Sequence, residues 1–379
     1  MLLSIIFLIK NIINDIILLE VFMDKIIKNI LKKLENNGYQ AFIVGGYVRN
    51  YLMGIESTDV DICTNALPKD IIEVLNLDKS TIDNYGCISI KTKKYNIDIT
   101  TFRKESNYQD HKPKEVTYVN DLKTDLKRRD FTMNAIVMNS EEEIIDYYNG
   151  IKDVENRVIK CIGSTNERLT EDPLRMLRAI RFSTIYDFEL DDDIKNFIFN
   201  NRSLISELSF YRKKEELDKI FSSSNRIKGL NKIKELNLLS SLDLKYNNLY
   251  DTNDILGIYA QIEYSDEYPL NKNEKDIINK IRSVLEYGTI DNVILYRYGL
   301  YICIVAGEIL GIDYIKINRM YKKLPIKSKK DIKISVESIV KLNNNCYNDI
   351  GNIFSDLEEK ILTNKLKNKS SDIVRYLRK

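Results

Sequence analysis

Two aspartates one residue apart, Asp59 and Asp61, lie in Ser57-Thr58-Asp59-Val60-Asp61-Ile62, shortly after Val44-Gly45-Gly46-Tyr47-Val48-Arg49. Residues i and i+2 of a strand share a face, so the two carboxylates stand side by side. Adjacent carboxylates repel, and one takes up a proton unless a cation lies between them. Mg²⁺ suits that place, because it favours carboxylate oxygens and the phosphates of a nucleotide. The pair reads as a metal-dependent phosphoryl-transfer centre. D-x-D also occurs on plain surface strands, and the turn upstream is what sharpens the reading. Ala41-Phe42-Ile43-Val44 is a short apolar run ending in Gly45-Gly46. Glycines there let backbone N–H groups approach a phosphate closely.

The elements that must position this pair are legible in outline. Short apolar runs over 41–44, 58–63, 87–91, 95–100, 116–119 and 131–138 alternate with turns and predict strands of an α+β head. An amphipathic helix is expected over 23–36. The most loop-like stretch of the head is 106–123, polar and containing Pro113. From about residue 165 apolar residues recur at three- and four-residue spacing with few Gly or Pro, which predicts helix to the C-terminus.

A chain of 379 residues with 44% hydrophobic content can form two or more cores. Its net charge of +2 announces no polyanionic partner by itself. Basic clusters do recur, at Lys127-Arg128-Arg129, Arg212-Lys213-Lys214, Lys322-Lys323, Lys327-Ser328-Lys329-Lys330 and in the last fifteen residues. Such clusters are ordinarily solvated faces, but their recurrence suits a long polyanion crossing several segments. The five cysteines show no C-x-x-C spacing, which speaks against a zinc site or a disulfide framework and fits a reducing cytoplasm. A Ser-His-Asp or Cys-His mechanism would have to use the sole histidine, His111, in a polar stretch. Residues 1–22 are apolar but interrupted by Lys10, Asp15 and Glu20, too short a run to span a bilayer. Translation is expected to start at Met23, with 1–22 an upstream extension, and no membrane partner is expected.

Two further motifs carry charge in a pattern. Arg128-Arg129-Asp130-Phe131-Thr132-Met133-Asn134-Ala135 sets two guanidiniums, suited to a triphosphate, beside an aspartate able to accept from a ribose hydroxyl. In Glu171-Asp172-Pro173-Leu174-Arg175-Met176-Leu177-Arg178-Ala179-Ile180-Arg181-Phe182, Thr170 is a natural N-cap and Pro173 suits a first helical turn. Asp172, Arg175, Arg178 and Arg181 recur every three residues as a polar stripe, with Leu174, Leu177, Ala179 and Ile180 on the buried side. Three arginines against one aspartate leave positive charge for an anionic ligand.

In this order and spacing, G-G-x-V-R, D-V-D, R-R-D-F-T-x-N-A and E-D-x-x-R-x-x-R-A-x-R-F resemble the class II tRNA nucleotidyltransferases, or CCA-adding enzymes, and the bacterial poly(A) polymerases. Both belong to the DNA polymerase beta nucleotidyltransferase superfamily. The motifs cover about residues 41–182, and weaker similarity continues through 211–217 and 324–332. The resemblance implies a polymerase-beta-like head with a mixed sheet, followed by an all-helical neck, body and tail. It implies domains of 23–150 for the head, 151–220 for a neck that recognises the base, and 221–379 for a body and tail binding tRNA.

The activity so implied is template-independent addition of CCA to the tRNA 3′ end from CTP and ATP, with pyrophosphate released. Asp59 and Asp61 would hold two Mg²⁺. Gly46 and Arg49 would contact the triphosphate, with Arg129 nearby and Asp130 at the ribose. Arg178 and Arg181 would hold the nucleotide or the helix around it. Asp172 and Arg175 would replace a template. A carboxylate accepting from an exocyclic amine, beside a guanidinium donating to a ring nitrogen, fits cytosine and adenine. Uracil and guanine place a carbonyl there, at a cost of roughly 1–3 kcal/mol per wrong edge. The acceptor and T arms of tRNA are the expected partner surface.

There are departures from the family pattern. Asn50 stands where the family has Asp, and Asp98 where relatives carry Glu, which makes Asp98 a candidate third carboxylate. Val336 replaces a tail glycine. The 106–123 segment keeps its length, which favours full CCA or terminal A addition over CC-only activity. Poly(A) polymerase is the alternative enzyme, and a non-catalytic RNA-binding protein the alternative of a different class.

Overall fold

The computed structural model describes residues 23–77, 87–109, 112–342 and 349–378. Residues 1–22, His111 and Cys346 lie outside them. The chain divides into two compact units, one formed by the residues up to Glu216 with Lys232–Ser241, the other by Leu217–Asn231 and Leu242–Lys379.

The first unit begins with α1 (Lys25–Asn36), capped by Asp24, whose side chain accepts from Ile26 N. Ile27, Leu31 and Leu34 form its buried stripe. Then follow β1 (Ala41–Val44), α2 (Gly46–Leu52), β2 (Asp59–Thr64), α3 (Pro68–Leu75), β3 (Cys87–Lys91) and β4 (Asn96–Thr101). After them come β5 (Arg103–Gln109), β6 (Lys112–Tyr118), α4 (Leu122–Lys127), β7 (Ile136–Met138) and β8 (Ile144–Asp146). Six strands make one mixed sheet in the order β3-β4-β2-β1-β7-β8, with β2 and β4 parallel. Along β2 burial alternates: Val60 and Ile62 point into the core, Asp59 and Asp61 away from it. That period of two decides which face the carboxylates share. Behind the sheet, Val44, Cys63, Phe102, Leu126 and Val137 pack as one apolar cluster.

The first unit continues with α5 (Gly150–Glu155), β9 (Val158–Ile159), α6 (Thr165–Glu171), α7 (Leu174–Tyr186), β10 (Glu189–Leu190) and α8 (Asp192–Asn200), while α9 (Phe210–Phe221) and α10 (Arg226–Glu235) each have residues in both units. The second unit continues with β11 (Leu244–Lys245), α11 (Ile255–Ala260), β12 (Glu263–Tyr264), α12 (Lys272–Tyr287), α13 (Asn292–Ile309), α14 (Tyr314–Lys322), α15 (Val336–Leu342), α16 (Ile350–Leu362) and α17 (Ser370–Leu377). Beyond residue 150 the only strands among the described residues are the two-residue pairs β9–β10 and β11–β12, so the expected helical character holds. Among the described residues one helix, α13, is long and apolar enough to cross a bilayer. Ile294, Leu295, Ile302, Val305 and Ala306 are buried in its own unit.

Three local expectations need correction. The 106–123 stretch is not a loop: β5 and β6 form an antiparallel hairpin with Arg103 opposite Tyr118, and α4 begins at Leu122. Residues 115, 117 and 118 are exposed, so no apolar alternation announced the strand. Pro113 is tolerated because a two-stranded ribbon leaves each strand an unpaired edge. The 131–138 run is not one strand. Thr132–Asn134 turns as a short 3₁₀ helix, and only Ile136–Met138 joins the sheet. Thr170 is no N-cap but sits in the last turn of α6, which Ser164 caps. The chain turns at Asp172 (φ −144, ψ 98) before α7 starts.

Gly150 opens α5 directly over that 3₁₀ turn. A Cβ there would stand 2.3 Å from the Thr132 carbonyl oxygen and 2.8 Å from Ile136 Cγ1. The clash is with backbone, which cannot swing away. Gly150→Ala should lower unfolding free energy by about 1–3 kcal/mol in urea titration.

Candidate active site

β1 ends at Val44, opposite Asp61 of β2. The chain then turns at Gly45, whose φ of 74 and ψ of −130 exclude most side chains. A Cβ on Gly45 would lie 3.4 Å from Asp61 Oδ2 and 3.8 Å from Arg129 Nη1. The missing side chain is what lets a carboxylate and a guanidinium converge on the turn. Asp98 of β4 pairs in register with Asp61, so three carboxylates share this face of the sheet. Asp59 accepts from Asn96 Nδ2 at 2.9 Å and Asp98 from Ser89 Oγ at 2.6 Å. The Asp61 carboxyl opens to solvent, yet it is recessed among enough protein that its pKa is raised. Partial desolvation is the largest cause; Arg129 opposes it, and Asp98 and Asp59 add to it.

The donor set fits a hard divalent cation. Such an ion takes oxygen ligands and would relieve the repulsion that raises Asp61. Among the described residues no group of three or more His, Cys, Asp or Glu side chains forms a protein-only metal cage. Two carboxylates completed by substrate phosphates is the usual arrangement for Mg²⁺.

Beside this face lies a cleft of about 380 Å³. Of the residues singled out by sequence, Gly46, Arg49, Asp61, Arg129, Asp130, Arg175 and Arg178 line it. Asp59, Asp172 and Arg181 are not part of that lining. Arg181 donates to Glu216 Oε2 at 2.6 Å and stacks on Phe182, 4.0 Å from the ring centre. Asp172 accepts from Leu174 N and from Arg212 Nη2 at 3.1 Å. Arg175 is not on a solvated stripe: it is 7% exposed and donates to Glu171 Oε2 at 2.9 Å and to the Arg168 and Arg128 carbonyls.

Asp130 is the most enclosed of these groups. Its Oδ2 accepts from Arg178 Nε (2.8 Å) and Nη2 (2.5 Å), its Oδ1 from Phe131 N (2.8 Å) and Asn134 Nδ2 (3.0 Å). Burial alone would raise this carboxyl, but the Arg178 charge and these hydrogen bonds hold it at about 2. Asn134 passes the arrangement on, since its Oδ1 accepts from Arg49 Nη1.

Several residues of the cleft were missed by sequence reasoning. Glu105, on the hairpin, accepts from Arg103 Nε at 2.8 Å and Arg128 Nη1 at 3.1 Å. Asp125, 1% exposed, accepts from Arg103 N, Arg128 Nε and Arg129 Nη2. Arg129 Nε remains buried without a hydrogen-bond partner. Arg212 and Tyr186 reach the site from α9 and the end of α7. Asn134 carried a sequence signal as part of the R-R-D-F-T-x-N-A segment, and Arg212 as part of a basic cluster.

Three models of known families match the chain. The model for the poly A polymerase head domain matches residues 41–160. That for a probable RNA and SrmB-binding site of polymerase A matches 187–244, and one for a tRNA nucleotidyltransferase domain 2 matches 267–377. A CCA-adding enzyme of Ligilactobacillus salivarius (strain UCC118) is 32% identical over 350 residues, covering 82% of this chain and 85% of the relative. The chain belongs to the CCA-adding enzyme family. A second family member, from Staphylococcus aureus (strain Newman), is 30% identical over 92% of this chain and 96% of its own length. The crystal structure of the Bacillus stearothermophilus CCA-adding enzyme in complex with CTP superposes with a TM-score of 0.78 at 25% identity, covering 92% of this chain and 95% of that one. Nucleotidyltransferases of this family use a divalent metal, in keeping with the Asp59–Asp61 face.

The depressed Asp130 carboxyl contributes stability above the ordinary aspartate range near 3.8 and loses it as pH falls towards about 2. Asp130→Asn should therefore cost about 2 kcal/mol of unfolding free energy at neutral pH. In denaturant titrations the gap to the parent protein should close between pH 4 and 2.

Proposed function

We propose that this chain adds CCA, without a template, to the 3′ end of tRNA, using CTP and ATP and releasing pyrophosphate. The observation that carries the reading is the Asp59–Asp61 carboxylate face beside an arginine-lined cleft, in a member of the CCA-adding enzyme family. Mg²⁺, when held by Asp59 and Asp61, supplies the electrophilic charge that lowers the pKa of a 3′-hydroxyl and neutralises phosphate oxygens. The remaining work falls to the chain itself. Gly45 and Gly46 clear the space in which a triphosphate lies against the turn. Arg49 and Arg129 face its negative oxygens, where charge grows during in-line attack. Asp130 sits at the sugar side and holds Arg178 and Asn134 in place. Arg178 and Arg181 support the nucleotide and the helix around it.

Asp172 and Arg175 are proposed to read the base edge. Their present partners, Arg212 and Glu171, fix the carboxylate and the guanidinium in defined places rather than leaving them to wander. Residues 23–150 form the catalytic head and 151–220 the neck in this reading, while 221–379 grips the acceptor and T arms. Lys322, Lys323, Lys327, Lys329 and Lys330 are exposed, as are Lys365, Lys367 and Arg375, which suits phosphate contacts. The proposed site of action is the cytoplasm.

The direct test is to incubate the protein with tRNA ending at its discriminator base and CTP, ATP or both. Three added nucleotides with both substrates are expected. Extension by ATP alone to long tails would mark a poly(A) polymerase, and no extension would remove the catalytic reading. Asp59→Ala and Asp61→Ala should each abolish incorporation while tRNA binding, read by gel shift, stays near that of the parent. Asp172→Ala should change nucleotide choice: kcat/KM for CTP and ATP falls, by roughly tenfold for a lost hydrogen bond to a charged group, while UTP and GTP are penalised less. An equal drop for all four nucleotides would leave Asp172 a structural cap.

A further inference from the structure

Asp172 stands outside a helix. The chain leaves α6 at this residue, and α7 starts only at Leu174. Helix geometry therefore does not aim its carboxylate, as it aims the side chains of Arg178 and Arg181. Two contacts do so instead. Oδ1 accepts from Leu174 N at 3.2 Å, which satisfies a backbone donor in the first turn of α7. Arg212 Nη2 straddles the group, donating to Oδ1 at 3.1 Å and to Oδ2 at 3.3 Å. The first contact holds one oxygen, and the second sets the rotation of the other. Among the described residues Oδ2 accepts from nothing else, and the Asp172 side chain keeps 18% of its surface exposed. Lone pairs of Oδ2 are thus left for a ligand.

Other cations stand near this carboxylate in sequence. Arg175 is three residues on and Arg178 six, and the Asp172 charge is felt at Arg178. Both are committed elsewhere, Arg175 to Glu171 and two backbone carbonyls, Arg178 to Asp130. Arg212 comes from α9, 40 residues along the chain, and pairs with Asp172. Its Nε and Nη1 donate to nothing among the described residues, so the guanidinium is spent on this one carboxylate. A half-buried ion pair returns little net stability once desolvation is counted. What the pair does supply is a fixed orientation of the carboxylate.

We propose that Arg212 is a positioning residue for base selection, holding Asp172 in the rotation that leaves Oδ2 for the exocyclic amine of cytosine or adenine. The proposal rests on the base-reading role given to Asp172 above and deepens it. It puts part of the selection on α9, in an arginine that does not line the cleft. A carboxylate free to rotate meets an amine in the right direction less often, and part of the binding energy then goes into ordering it.

Calorimetric affinities for CTP, ATP and UTP with Mg²⁺, taken without tRNA, give a readout that needs no turnover. Arg212→Ala should weaken CTP and ATP binding about three- to tenfold, the worth of immobilising one side chain, and leave UTP within about twofold. Arg212→Lys keeps a charge but a less directed one, and should fall between Arg212→Ala and the parent. In an Asp172→Ala background, Arg212→Ala should change no affinity further, because the carboxylate it positions is gone. A merely structural arginine would instead weaken all three nucleotides alike, in both backgrounds. Equal losses for all three, the same loss in the Asp172→Ala background, or a parent with no preference for CTP over UTP would each overturn the proposal. Should the thermal midpoint show Arg212→Ala unfolded, Arg212→Lys carries the same comparisons. Failure of the base-reading role itself shows in Asp172→Ala alone, as an unchanged ratio of CTP to UTP affinity. Failure of the nucleotidyl-transfer reading shows separately, as a parent that prefers CTP over UTP but extends no tRNA.

Discussion

The buried ion pair between Asp130 and Arg178 joins two elements that sequence places far apart. Asp130 follows α4 in the sheet head, while Arg178 lies one turn into α7 of the neck, and their contact is at most 2.8 Å. Removing one partner from such a pair leaves a buried charge without compensation, which is far more damaging than replacing both. The pair also does not stop at two residues. Through Asn134 it reaches Arg49, so one carboxylate sets the positions of cations on both sides of the cleft. If the base is read by α7 and the phosphates are held near the Gly45 turn, this chain of contacts fixes the distance between the two tasks.

Crowding five guanidiniums around one cleft raises a second physical problem. Like charges at close range repel, and burial strips each of water. Asp125 and Glu105 answer part of it by sharing Arg103, Arg128 and Arg129 among them. The hairpin β5–β6 is thereby tied at its base to α4.

The residues proposed to read the base are held by the same kind of contact. Asp172 is held by Arg212 from α9, and Arg175 by Glu171 and two backbone carbonyls. A side chain that must discriminate one edge from another gains from losing its rotamer freedom before the ligand arrives. Rigidity here comes from neighbouring segments of the same unit.

Sequence by itself determined the carboxylate pair, the glycine turn, the arginine series and the change from sheet to helix. Each depends on local spacing: period two on β2, a positive φ that only Gly45 meets cheaply, and three- and four-residue periods after residue 165. It also carried the family, because the motifs stand in a fixed order. It misread 106–123 as loop, because the polar residues of that stretch show no apolar alternation to mark a strand. It took Thr170 as a cap, although Pro173 disfavours helical backbone at the preceding Asp172 and so ends α6 there. It placed Arg175 and Arg181 on one polar stripe, and the structure turns one to Glu171 and the other to Glu216. Which arginine meets a carboxylate and which meets neutral groups depends on partners up to 137 residues away, such as Tyr186 for Arg49. A spacing rule cannot reach that far, and only the tertiary structure decided it.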